Sequence, residues 1–167
     1  PKRLYTNIYV KSRRAEELIG HPDIRAVSLT GSEAAGRSVA TIAGKHLKKT
    51  VLELGGSNAL LVMPDAAVSK AVKLAAQARL VNAGQSCIAA KRILIPKSWE
   101  KDFVRRLNEE ISGLRSGDPI LPSTQLAPLA RREMAAKLER QVSDSLAKGA
   151  KILGDVEVNN AWFRPLV

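Results

Sequence analysis

The stretch Thr50-Val51-Leu52-Glu53-Leu54-Gly55-Gly56, followed by Ala59-Leu60-Leu61-Val62-Met63 and closed by Pro64, decides how this chain is read. Two short aliphatic runs flank a pair of glycines. Runs of this length bounded by turn residues read as strands. Adjacent glycines let the backbone turn freely, so the boundary between two structural units is placed here, with 1–54 before it and 55–167 after it. Asp65 is positioned to cap a helix reaching about Leu80, with Val68, Ala71, Val72 and Ala75 on one face.

Working outward, Ala26-Val27-Ser28-Leu29 predicts a buried strand ending at Thr30-Gly31-Ser32. Glu33 to Leu47 then predicts a helix, because Ala35, Val39, Ile42 and Ala43 recur at helical spacing. Nearer the start, Asn7 to Val10 is β-prone and Ser12 to Ile19 is helical, with a break at His21-Pro22-Asp23. Beyond the Asn82-Ala83-Gly84 turn, Ile93-Leu94-Ile95 is a strand and Ser98 caps a helix through Leu114. Ser116 to Ser123 is a loop, Leu129 to Lys148 a long helix closed by Gly149, and Ala150 to Leu153 a last strand. Strands alternating with helices make this an α/β protein with largely parallel pairing.

The chain has 167 residues, enough for an ordinary core, and its 45% hydrophobic and 26% charged content reads as soluble and globular. No run approaches the roughly 18 apolar residues of a membrane span, so no membrane partner is expected. The opening Pro1-Lys2-Arg3 has no signal-peptide pattern, and a start other than Met predicts that residues precede it in a longer chain. The single cysteine, Cys87, cannot form an internal disulfide and fits a reducing, cytoplasmic compartment. The net charge of +11 raises nucleic-acid binding as a second reading. The basic pairs Lys48-Lys49, Lys91-Arg92, Arg105-Arg106 and Arg131-Arg132 are dispersed, however, and 4% aromatics leave little for a base-stacking platform. Solvated helix faces, and no nucleic-acid partner, are expected.

Three places carry chemistry. The turn Leu29-Thr30-Gly31-Ser32 leads into a helix whose free N–H groups suit an anion such as a pyrophosphate, although Ser32 also reads as an ordinary N-cap. Glu53 is a carboxylate within an apolar strand. Buried, it would have a raised pKa suited to a general base, and on an edge it would simply face solvent. Cys87 follows a Gly-containing turn at a candidate helix start, where backbone N–H groups favour a thiolate; a lone cysteine is otherwise an inert small hydrophobe. His21 and His46 read as turn and surface residues, and two histidines make no convincing metal site.

Glu53-Leu54-Gly55-Gly56, with Cys87 34 residues later inside Gly84-Gln85-Ser86-Cys87, resembles the two active-site signatures of the aldehyde dehydrogenase superfamily. The Gly31-Ser32 turn lies at the matching distance upstream, and the likeness continues through Ile88-Ala89-Ala90-Lys91-Arg92 and Ala127-Pro128-Leu129. The bacterial succinate-semialdehyde dehydrogenase branch is the most similar. The resemblance implies the end of a Rossmann-like NAD(P)-binding domain joined to most of a catalytic domain, incomplete at its C-terminus. It implies that Cys87 attacks the aldehyde, that the Cys87 N–H helps hold the thiohemiacetal oxyanion, and that Glu53 activates water against the thioester. Gly31 and Ser32 would lie on the pyrophosphate of NAD or NADP, and Leu54 and Gly55 near the nicotinamide. The expected substrate is succinate semialdehyde or another small aldehyde, and the full-length enzyme is expected to be a homo-oligomer.

The sequence departs from that pattern in places. Val81 stands where semialdehyde dehydrogenases often have an arginine, Ala89 where a second cysteine can occur, and Asn160-Ala161-Trp162 where a glycine-containing turn is expected. An oxyanion-hole asparagine would lie before Pro1, and the nicotinamide-ribose segment and the oligomerisation strands after Val167. The isolated chain is therefore expected to have little or no dehydrogenase activity. Two alternatives stay open: a CoA-acylating aldehyde dehydrogenase, against which Glu53 counts, and a basic binding module on a degenerate dehydrogenase fold.

Overall fold

The computed structural model describes residues 4–167. Its contacts divide the chain into two units, Pro1–Gly56 and Ser57–Val167.

In the first unit a short helix α1 (Ala15–Gly20) precedes strand β1 (Ala26–Thr30), helix α2 (Glu33–Lys45) and strand β2 (Lys49–Glu53). β1 and β2 pair in parallel, from Ala26 opposite Lys49 to Thr30 opposite Glu53. Parallel neighbours need a crossover, and α2 supplies it, making one β-α-β unit. Ala43, on the inner face of α2, is fully buried, and the Lys48 ammonium reaches back to the carbonyls of His21 and Ile24, at 3.1 and 2.6 Å, pinning the loop before β1. The strand read as buried over Ala26–Leu29 is instead alternately exposed and half-exposed, because α2 covers only part of it and β2 is its one strand neighbour among the described residues. The β-prone run Asn7 to Val10 forms no strand. It lies exposed without a pairing partner among the described residues, and a lone strand gains no ladder bonds.

The second unit repeats the arrangement. Strand β3 (Asn58–Leu61), helix α3 (Val68–Leu80) and strand β4 (Ala90–Leu94) form another parallel β-α-β unit, and the Arg92 guanidinium donates to the Ser57 carbonyl at 2.9 and 3.1 Å. Helix α4 (Glu100–Ser112) packs on α3, and the core lies between them: Val72, Ala75 and Ala76 meet Phe103, Leu107 and Ile111, with Phe103 1% exposed. Helix α5 (Arg132–Ala147) follows a long loop and ends where Gly149 takes φ 92°.

Two expected caps are absent. Pro64 opens a turn closed by the Ala66 N–H on the Met63 carbonyl, so α3 starts at Val68 and Asp65 caps nothing. Likewise Pro96 opens a 3-10 turn over Lys97–Trp99, which absorbs Ser98 and moves the start of α4 to Glu100. Ala150 to Leu153 is not a strand: Gly154 turns the chain at φ 89°, and Leu153 makes a single backbone bond to Val167. The last pairing is an antiparallel hairpin of β5 (Val158–Asn159) and β6 (Trp162–Phe163), turned by Asn160 at φ 56° in place of glycine. Asparagine tolerates this left-handed conformation better than most residues.

Candidate functional site

In the first unit the register places the C-terminal ends of β1 and β2 side by side. The Gly31 N–H donates to the Glu53 carbonyl at 2.9 Å, so the glycine turn and the strand carrying the candidate base are joined directly. Ser32 is the N-cap of α2. Its Oγ accepts from the Ala35 N–H at 3.2 Å and its carbonyl from the Gly36 N–H at 2.9 Å. The N–H groups of Glu33 and Ala34 then have no acceptor among the described residues. A bare glycine turn beside free N–H groups at the positive end of a 13-residue helix is a donor set that fits a pyrophosphate.

Leu54 follows Glu53 and lies over Gly36, where a Cβ would come within 2.7 Å of both Leu54 methyls. The sequence reading missed Gly36. The signal available was a glycine inside an otherwise helical pattern, which costs about 1 kcal/mol against alanine and so marks a packing constraint. Gly55 has open space around it. The Glu53 side chain is exposed at the end of β2, so the burial considered for it does not hold among the described residues, where no element covers that face.

Cys87 belongs to the second unit. After α3 the chain takes three consecutive left-handed residues, Asn82 (φ 52°), Ala83 (φ 53°) and Gly84 (φ 77°). A Cβ at Gly84 would fall 2.9 Å from Arg79 Nη1 and 3.2 Å from the Arg79 carbonyl oxygen, and Arg79 Nη1 donates to the Gly84 carbonyl at 3.3 Å. Burial pulls the half-buried Arg79 guanidinium below its ordinary pKa. Gln85 uses both ends of its amide: Nε2 donates to the Asn82 carbonyl at 3.1 Å, and Oε1 accepts from the Ala130 N–H at 2.9 Å.

Cys87 follows, exposed, in a turn closed by the Ala89 N–H on the Ser86 carbonyl at 3.2 Å. No helix starts there. β4 begins at Ala90, and the few residues between Gly84 and that strand can only turn. Neither the Cys87 nor the Ile88 N–H has an acceptor among the described residues. Gly31, Ser32, Glu53 and Leu54 are thus gathered within one unit, and Cys87 is presented on the other with Arg79, Gln85 and Lys91 around its loop.

Residues 1–167, the whole chain, match the aldehyde dehydrogenase family. The chain belongs to that family. Its α/β fold combines Rossmann-like dinucleotide-binding elements with aldehyde dehydrogenase-type catalytic architecture. It is 46% identical over 153 residues to a succinate-semialdehyde dehydrogenase [NADP(+)] of Deinococcus radiodurans, covering 92% of this chain and 32% of that one. A Mycobacterium avium enzyme of the same name is 42% identical over 99% of this chain and 35% of its own length. The crystal structure of succinic semialdehyde dehydrogenase from Streptococcus pyogenes in complex with NADP+ superimposes with a TM-score of 0.90 at 33% identity, over 96% of this chain and 36% of that one. This aldehyde dehydrogenase chain therefore spans about a third of the length of the relatives it matches. Among its described residues no helix is long and apolar enough to cross a membrane.

Proposed function

We propose that this chain carries the nucleophile and the base of an NAD(P)-dependent oxidation of an aldehyde to its carboxylic acid, with Cys87 and Glu53 in those roles. The observation that carries the reading is the presentation of Cys87, exposed on a turn fixed by Gln85 and with its own N–H free to donate. Residues 1–54 form the end of the cofactor domain and 55–167 most of the thiol domain. Gly31 and Ser32 would hold the pyrophosphate of NAD or NADP, and Leu54 and Gly55 would border its nicotinamide.

The Cys87 thiolate attacks the aldehyde carbon, a C–S bond forms, and the carbonyl π pair moves to oxygen. The Cys87 N–H donates to that oxyanion. NAD(P), when bound, would supply the hydride acceptor; loss of hydride from the carbon held by Cys87 leaves a thioester on that residue. Glu53 takes a proton from water as its oxygen attacks the thioester; the C–S bond breaks, and the acid leaves a restored thiolate. Succinate semialdehyde is the favoured substrate, supported by the names of the relatives, with another small aldehyde as the alternative. The full enzyme works as a homo-oligomer in the reducing cytoplasm, where the exposed Cys87 stays a thiol.

The test is reduced-cofactor formation by the whole protein with succinate semialdehyde and a panel of small aldehydes. Cys87→Ala abolishes it. Glu53→Gln permits one burst of reduced cofactor per site and then stalls as the thioester accumulates. Steady turnover by Cys87→Ala would sink the assignment.

A further inference from the structure

We propose that Lys91 is a positioning residue for the oxyanion, acting through the peptide group between Ser86 and Cys87; this rests on Cys87 being the nucleophile. Lys91 lies one residue into β4, next to the buried Ala90 and pointing to the other side of the strand. Its ammonium turns back over the Cys87 loop and meets three carbonyl oxygens: Cys87 at 3.2 Å, and Ser86 and Ala89 each at 3.4 Å. An ammonium has three donors, so the match of donors to acceptors is complete. No carboxylate pairs with Lys91 among the described residues; the loop carbonyls are its partners.

A peptide group is planar, and with no cis bond present its C=O and N–H point in opposite directions. Drawing the Ser86 carbonyl to Lys91 therefore turns the Cys87 N–H away from the lysine, and drawing the Cys87 carbonyl does the same for the Ile88 N–H. Both of these N–H groups, like that of Ser86, have no acceptor among the described residues, whereas the Ala89 N–H is spent on Ser86. A cation on a carbonyl oxygen also polarises the peptide and strengthens its N–H as a donor. Lys91 both aims the Cys87 N–H and charges it, at the atom where the oxyanion forms. Three charged donors on one atom are what an uncharged mimic of lysine cannot supply to these carbonyls.

Two reactions at Cys87 separate this role from mere support of the loop, and neither needs a cofactor. Acylation by p-nitrophenyl acetate sends the thiolate to the ester carbon, forms an oxyanion, and expels p-nitrophenolate to leave a thioester. Alkylation by iodoacetamide displaces iodide and forms no oxyanion. In the whole protein, Lys91→Met slows acylation about tenfold, less than the ~10²–10³-fold of deleting an oxyanion donor outright, while alkylation stays within about twofold. Lys91→Arg restores most of the acylation rate. If Lys91→Met does not fold by circular dichroism, Lys91→Gln carries the same comparison. Unchanged acylation, or acylation and alkylation falling in parallel, overturns the proposal. Acylation that persists in Cys87→Ala is a different result, which removes the nucleophile assignment and this inference with it.

Discussion

The Gly31 N–H donates to the Glu53 carbonyl at 2.9 Å, so the turn that faces the proposed pyrophosphate and the strand that carries the proposed base are one hydrogen-bonded element. The bond extends the parallel ladder by one residue beyond Thr30 and Glu53. A shift of either motif is transmitted to the other through rigid backbone, which is how a β-α-β unit keeps cofactor and base in register.

Gly31→Ala separates fold from function at this turn. Its Cβ would sit 3.7 Å from Leu29 and 3.8 Å from Ala35, ordinary contact distances, so stability changes by less than about 1 kcal/mol. The methyl would stand where the pyrophosphate approaches the backbone, and NAD(P) affinity falls about tenfold or more. Calorimetric titration of the cofactor beside a urea melt reads both. Equal loss in the two measurements would contradict the placement of the cofactor.

Gly36 and Leu54 are coupled. Gly36→Val drives a side chain into the Leu54 methyls, which lie 2.7 Å from the position of its Cβ, and costs ~1–3 kcal/mol. Adding Leu54→Ala removes the obstacle, so the double variant is more stable than the sum of the singles by about 1 kcal/mol. Chemical denaturation of the four proteins closes the cycle, and strict additivity would refute the contact.

The left-handed turn before Cys87 predicts opposite outcomes at neighbouring positions. Gly84→Ala is strained by its φ of 77° and blocked by Arg79, and destabilises by at least ~1–2 kcal/mol. Ala83→Gly, at φ 53°, relieves a residue that already carries that strain and is neutral to stabilising by up to ~1 kcal/mol. Thermal melts of both variants suffice, and destabilisation of similar size in the two would mean the turn is not built this way.

Helix α4 responds to acid through Asp102. A hydrogen bond from Arg105, aided by Arg106, holds the Asp102 carboxyl below its ordinary 3.8. A lowered folded-state pKa means that this stabilisation is complete above 3.8 and is lost as the pH falls through the lower folded value. The pair is exposed, so the effect is small and screened. Asp102→Asn lowers stability near neutral pH, with the gap closing in acid and in ~1 M salt. A gap that widens on acidification would reverse the sign assigned here.

Much of the fold was legible from residue order, and the candidate site was chosen from it. Alternation of short aliphatic runs with helical periodicity located β1, α2, β2, β3, α3, β4, α4 and α5 to within a few residues. Glu53 stood out as a carboxylate in an apolar strand and Cys87 as the one cysteine after a glycine turn, whereas Gly31 and Ser32 gained meaning from their spacing to these two. These are local properties, carried by side-chain polarity and backbone preference within a few residues. Tertiary structure alone decided the rest. Asn7 to Val10 and Ala150 to Leu153 have strand chemistry but no ladder to join, and Asp65 and Ser98 lost their caps to turns opened by the prolines before them. The Cys87 loop depends on Gln85 reaching Ala130, 45 residues away, and Glu53 on the Gly31 N–H. Lys91, one basic residue among many in the sequence, became informative only once three carbonyls were seen to converge on it. A hydrogen bond is made or lost over about an ångström, and contacts between residues far apart in the chain are set at that scale by packing, which no local pattern encodes.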